Sequence, residues 1–186
     1  MRVIILHGSP RRGMNSDTLV VEFIRGLSEV GKHSVRHFYL NEMSIKPCQG
    51  CEHCSTSAGH RCAIDDDMTQ IYDAYKAADI IVWATPMYWD YLNAQTKTVQ
   101  DRMEALACEG FSGKTFAVLL TYRYHVESAT NMFKRIAPDF NIDLHIVTCR
   151  TRDLEAKRDI PISECPKELG EAYELGKILG AKKNRS

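Results

Sequence analysis

Long apolar runs are missing from this 186-residue chain, and no stretch approaches the roughly 20 residues a helix needs to span a bilayer. Net charge is missing as well. With 24 basic residues against 24 acidic ones, no field of one sign draws the chain to nucleic acid or to a lipid surface. Residues Met1 to Gly8 lack the long apolar region and cleavage site of a signal peptide. The expectation is therefore a cytoplasmic protein with reduced thiols or metal ligands. H-E-x-x-H and G-x-S-x-G motifs are absent, and no Cys/His/Asn constellation of a nucleophilic enzyme is visible. There is no internal repeat and no low-complexity linker. The length suits one domain with a sizeable core, drawn over residues 1–181, with 182–186 as a disordered tail.

What the chain does have is cysteine, and it is clustered. Four of seven fall in one window, Cys48, Cys51, Cys54 and Cys62, a C-x2-C-x2-C-x7-C run inside a loop at 46–64. Buried structural cysteines are scattered singly, whereas thiolates at i, i+3 and i+6 can turn towards one point and a fourth can close a tetrahedron. Soft ligands so arranged suit an iron–sulfur cluster or zinc. Zinc sites more often use two separated C-x2-C pairs, so the tight triple tilts towards iron–sulfur. A metal-free loop remains an alternative, and His53 or His60 could serve zinc instead. Cys108 and Cys149 read as packed residues, and Cys165 sits in a loop before Pro166.

Along the chain, apolar strands alternate with amphipathic helices. Strands are expected at Val3–Leu6, His33–Leu40, Asp79–Ala84 (ending at Thr85-Pro86), Thr115–Thr121 and Asp143–Thr148. Helices are expected at about Ser16–Val30, Met68–Ala78, Ala94–Cys108, Glu127–Ala137 and Pro166–Ala181, with Asp65-Asp66-Asp67 capping the second. Five such strands imply an α/β fold, a doubly wound parallel sheet covered on both faces. The natural strand order is 2-1-3-4-5, which opens a ligand crevice beyond the carboxyl ends of strands one, three and four.

The first strand ends in Gly8-Ser9-Pro10-Arg11-Arg12-Gly13-Met14-Asn15-Ser16. This is not G-x-G-x-x-G and lacks the P-loop Lys, which disfavours dinucleotides and nucleoside triphosphates. Hydroxyls, an amide and an arginine leading into a helix N-terminus still suit one monophosphate. The competing reading is an ordinary turn in which Ser16 merely caps the helix.

Gly8-Ser9-Pro10-Arg11 with Asn15-Ser16, then Thr85-Pro86-Met87-Tyr88, then Lys97 and Asp101-Arg102, resemble the NADPH-dependent FMN reductase family of flavodoxin-like proteins. With the cysteine run and Asp66-Asp67-Met68, the resemblance is closest to the iron–sulfur flavoprotein branch, and it covers about residues 1–122. It implies FMN, a flavodoxin-like sheet, a [4Fe–4S] cluster on Cys48, Cys51, Cys54 and Cys62, and a homodimer or homotetramer. Electrons would pass from NAD(P)H or ferredoxin to a small-molecule acceptor. By the same resemblance, Ser9, Arg11, Asn15 and Ser16 hold the FMN phosphate, with Asp17 and Thr18 adjoining. Pro86, Met87, Tyr88 and Trp89 form a second flavin loop, and Tyr122 belongs to a third. Tyr88 and Trp89 have core or interface packing as the competing reading. Lys97 and Asp101-Arg102 read as a helix salt-bridge network or an oligomer contact. No general acid or base is assigned. Where many relatives carry a glycine-rich turn, this chain has Thr121-Tyr122-Arg123-Tyr124-His125, which would cover the ring differently or narrow access for a nicotinamide. A non-catalytic redox or zinc-binding module on the same sheet is the alternative of another class.

Overall fold

Strands apolar on both faces belong inside a sheet covered on both sides, and the chain places them there. A computed structural model describes residues 1–107 and 110–182. Its strands are β1 (Arg2–His7), β2 (Ser34–Tyr39), β3 (Ile80–Tyr88), β4 (Tyr91–Leu92), β5 (Thr115–Tyr122), β6 (Asp143–Arg150) and a small antiparallel hairpin, β7 (Arg152–Asp153) with β8 (Arg158–Asp159). The main sheet runs β2-β1-β3-β5-β6, all parallel, with β4 folded back antiparallel on the end of β3. Setting aside β4, this is the expected order 2-1-3-4-5.

Helices α1 (Asn15–Glu29), α2 (His53–Thr56), α3 (Met68–Ala77), α4 (Ala94–Arg102), α5 (Glu127–Asp139) and α6 (Pro166–Ala181) complete the fold. Alternation along β1 divides the core in two. Val3 and Ile5 pack with Leu19, Phe23 and Leu27 of α1 and with Leu175 and Leu179 of α6. Ile4 and Leu6 join Met68, Ile71 and Tyr75 of α3, Val99 of α4 and Phe133 of α5 on the other face. The α1–α6 contact is close enough that a Cβ on Gly26 would lie 1.9 Å from the Tyr173 carbonyl oxygen, and one on Gly176 2.0 Å from that of Phe23. Glycine at both positions lets the two backbones touch.

Several boundaries differ from expectation. β3 continues through Pro86 to Tyr88, because parallel pairing with β5 extends to Pro86 and β4 then supplies an antiparallel partner. α4 stops at Arg102 and one 3-10 turn (Met103–Leu106) follows; the expected end at Cys108 lies outside the described residues. The aspartate triplet caps α3 only in part. Asp66 Oδ1 accepts the Met68 N–H at 3.1 Å, whereas Asp67 spends Oδ2 on the Ser44 N–H at 2.7 Å. Of the expected tail, Lys182 is tied down by Asp143 at 2.6 Å, and 183–186 lie outside the described residues. No described helix is long and apolar enough to cross a membrane.

Candidate functional site

The sheet order reverses between β1 and β3, and the crevice above their carboxyl ends is where a doubly wound sheet can take a ligand. The chain turns there at Gly8, whose N–H donates to the Ala84 carbonyl at 2.8 Å. A Cβ on Gly8 would lie 1.9 Å from Thr96 Oγ1, so only glycine passes at this point. Beneath it, the Thr85 and Thr96 hydroxyls both donate to Asn93 Oδ1, at 3.0 and 2.7 Å. Asn93 also caps α4 by accepting the Thr96 N–H. This buried network ties the turn after β1 to the end of β3.

Within the loop, Ser9 Oγ accepts the Arg11 N–H at 3.2 Å, and Ser16 Oγ sits 3.1 Å from Thr121 Oγ1 of β5. The competing reading of Ser16 as a mere cap of α1 does not hold: Met14 occupies the N-cap and offers no side-chain acceptor, which leaves first-turn amides for an anion. Asp17 Oδ2 accepts the Gly13 N–H at 2.6 Å, and Thr18 Oγ1 donates to the Met14 carbonyl at 3.3 Å. These two residues thus shape the loop from behind. Burial pushes the Asp17 carboxyl up, but hydrogen bonds from His7 and Gly13 outweigh it and hold the group below the usual carboxylate range.

Ser9, Arg11, Asn15, Ser16, Pro86, Met87, Tyr88, Trp89 and Tyr122 all line one cleft of about 940 Å3, within the range of cofactor sites. Asp17 and Thr18 are not among the lining residues. Sequence reasoning missed Met14, Asp90 and Thr151, which join them. Thr151 comes from the chain after β6, a segment without a motif. Its N–H donates to the Tyr122 carbonyl at 2.7 Å, a tertiary contact with no local signal.

The rim is aromatic. Trp89 and Asp90 form the two-residue β3–β4 turn with φ of 46° and 63°, the left-handed pair that usually calls for Asn-Gly. A tryptophan held there costs roughly 1–2 kcal/mol. Its side chain is fully exposed, and Tyr88 and Tyr124 are exposed beside it. The core reading of Tyr88 and Trp89 is thereby excluded. At the expected narrowing, Arg123 pairs with Asp159 of β8 at 2.8 Å and lines the cleft wall together with Tyr124 and His125.

Between β2 and α3, the cysteine loop is closed at its neck by bonds from Arg102 to residues at both of its ends. Arg102, expected in a helix-surface network, is instead buried. Its guanidinium donates to the Lys46 carbonyl at 2.7 Å, to both oxygens of Asp66 at 2.8 and 3.1 Å, and to the Ile64 carbonyl at 3.4 Å. Only Lys97 and Asp101 make the expected i,i+4 surface pair. Burial pushes the Asp66 carboxyl up, yet the bonds from Arg102, Lys46 and Met68 prevail and hold it low. Tyr72 donates to the Arg102 carbonyl at 2.7 Å.

Cys48, Cys51, Cys54 and Cys62 are free thiols, the first two exposed. The Gly50 N–H donates to Cys48 Sγ at 3.5 Å. In this conformation, however, no three His, Cys, Asp or Glu side chains converge on a metal position among the described residues. His60 spends Nδ1 on the Cys54 carbonyl at 3.0 Å. Elsewhere, Cys149 and Cys165 are buried, Cys165 as the N-cap of α6. Cys108 lies outside the described residues.

Comparison with known proteins decides the family. The profile of the NADPH-dependent FMN reductase family matches residues 1–149. This chain belongs to that family. An iron–sulfur flavoprotein of Methanosarcina thermophila is 34% identical over 114 residues, covering 61% of this chain and 58% of the relative. The chain spans little more than half the length of the curated relatives it matches. Among solved structures, an NAD(P)H:quinone oxidoreductase from Methanothermobacter marburgensis superposes with TM-score 0.69 at 17% identity, over 99% of both chains. An FMN-dependent NADH-azoreductase from Bacillus anthracis, solved with FMN, gives 0.71 at 13% identity, over 98% of this chain and 100% of that one. These two show the shared flavodoxin-like fold.

Proposed function

We propose that the chain is an FMN-dependent oxidoreductase that takes electrons from NAD(P)H or ferredoxin and passes them to a small acceptor such as a quinone. The observation that carries this reading is the meeting of Ser9, Arg11, Asn15 and Ser16 with Pro86–Trp89 and Tyr122 around one cleft. The donor set fits a single phosphate at one end and a flat aromatic ring at the other. Ser9, Arg11, Asn15, Ser16 and the first-turn amides of α1 hold the phosphate, with the helix dipole adding to their charge. The backbone of Pro86 to Trp89 and the side chain of Tyr122 orient the ring. FMN, when bound, supplies the chemistry that accepts a hydride and releases electrons singly. Tyr124 and His125 restrict how a nicotinamide reaches that ring.

The exposed aromatics Tyr88, Trp89 and Tyr124 support a homodimer or homotetramer, since aromatics anchor interfaces. A cytoplasmic setting accords with six free thiols among the described residues. Heat release of the resident ligand followed by chromatography is expected to yield FMN. FAD, or no flavin after reconstitution, would remove this reading in favour of a non-catalytic module.

Cys48, Cys51, Cys54 and Cys62 would hold a [4Fe–4S] cluster, a reading supported by four free thiols in one clamped loop and by the names of the relatives. Anaerobic reconstitution is expected to give about four iron and four sulfide per chain, and the Cys51→Ala variant markedly less. Equal iron in both proteins, or none in either, would leave a cluster-free reductase. One zinc per chain would make the loop a structural metal site.

A further inference from the structure

Behind the phosphate loop, ionisable side chains from three elements form one hydrogen-bonded line from solvent to a loop amide. His37 is exposed on β2 and places Nδ1 3.0 Å from Nε2 of His7, which is buried at the end of β1. His7 Nδ1 lies 2.7 Å from Asp17 Oδ1 on α1, and the other Asp17 oxygen holds the Gly13 N–H at 2.6 Å. Three further groups face this line. The Arg12 guanidinium lies 3.2 Å from the Tyr39 ring centre and pairs with Glu42 of the 3-10 turn after β2. Tyr39 in turn stacks on His7 at 4.2 Å.

An ionised Asp17 is a poor neighbour for a phosphate dianion. Its charge opposes the ligand while its oxygen occupies one of the loop amides. Facing that carboxylate, His7 Nδ1 carries a proton and donates it, so Nε2 is free to accept from His37. A further proton entering at Nε2 of His37, a residue exposed on β2, then offsets the Asp17 charge without breaking either bond. Burial, with the Arg12 charge pulling the same way and Asp17 opposing, holds His37 below the usual histidine range. Added negative charge pulls in the opposite direction.

We propose that His7 and His37 are positioning residues that couple binding of the FMN phosphate to uptake of a proton. This rests on the cleft being the FMN site. One linked proton changes affinity by at most about tenfold per pH unit. FMN should therefore bind about three- to tenfold more weakly at about pH 8 than at about pH 6. The phosphate's own second ionisation, near about 6, has the reverse sign, because binding as the dianion releases a proton.

Calorimetric titration of the flavin-depleted full chain with FMN, in two buffers of different ionisation enthalpy, measures the proton count directly. Circular dichroism first checks that depletion preserves the fold. Net uptake is expected for the unaltered chain, less for the exposed-site variant His37→Gln, and none for His7→Gln combined with it. Riboflavin, which lacks the phosphate, should bind without uptake. If the double variant does not fold, His37→Gln alone decides. The same net proton exchange in the unaltered chain and in His37→Gln would overturn the coupling while leaving the FMN site intact. Failure to bind FMN at any pH would overturn both.

Discussion

Replacing Arg102 by Ala is expected to destabilise the fold by about 3–5 kcal/mol, the range for removing one partner of a buried ion pair. The loss leaves the Asp66 carboxylate buried without its cation, and leaves the Lys46 and Ile64 carbonyls without their shared donor. Those carbonyls stand on either side of Cys48 to Cys62, so the same change opens the neck of the cysteine loop. Denaturant unfolding checks the first effect, and faster proteolytic cleavage between 46 and 64 in the still-folded protein checks the second. Unchanged stability with a protease-resistant loop would show that the clamp contributes nothing. The pH dependence has a definite sign. The Asp66 carboxyl is held below its ordinary range, so its contribution is present above the unfolded value of about 3.9 and disappears as pH falls through the lower folded value. Asp66→Asn should show less of this acid sensitivity.

The second large effect is expected at the phosphate loop. Exchanging Ser9 and Ser16 for Ala removes two hydroxyls from the cleft, and hydrogen bonds to a charged acceptor contribute about 1.5–3 kcal/mol each. FMN affinity should fall at least tenfold and by more than a hundredfold if both bonds are made. Part of the change is indirect, because Ser9 also accepts the Arg11 N–H and Ser16 meets Thr121 across the cleft. A flavin titration reads the affinity, and circular dichroism shows whether the fold is kept. Undiminished affinity would put the phosphate elsewhere.

Much of the fold was legible because its signals are local. The buried parallel strands are continuous apolar runs, such as Val3 to Leu6 and Ile80 to Ala84. The helices carry apolar residues at helical spacing, such as Leu19, Phe23 and Leu27. The chain's membership of the FMN reductase family was legible for the same reason, since its motifs lie in short segments at strand ends. The candidate cleft residues on the first two loops could be read one loop at a time.

Contacts between distant segments were not legible. Arg102 looks like one more charged residue on a polar helix. Its burial follows from meeting Asp66, Lys46 and Ile64, which are 36 to 56 positions away. The His37–His7–Asp17 line joins residues 30 and 10 positions apart, each unremarkable in its own strand or helix. Trp89 reads as part of a flavin loop with core or interface packing as the competing reading, and only the pairing of β4 back on β3 shows that it stands in solvent in a left-handed conformation. The sequence by itself determined the layers and the loops that carry the chemistry, because periodicity and turn residues act over a few positions. The strand order was expected only as the natural one for a doubly wound sheet. Only the tertiary structure decided which charges are buried, which hydroxyls are already bonded and which aromatics face the cleft. Those properties depend on what the fold brings alongside each side chain, and no local pattern encodes it.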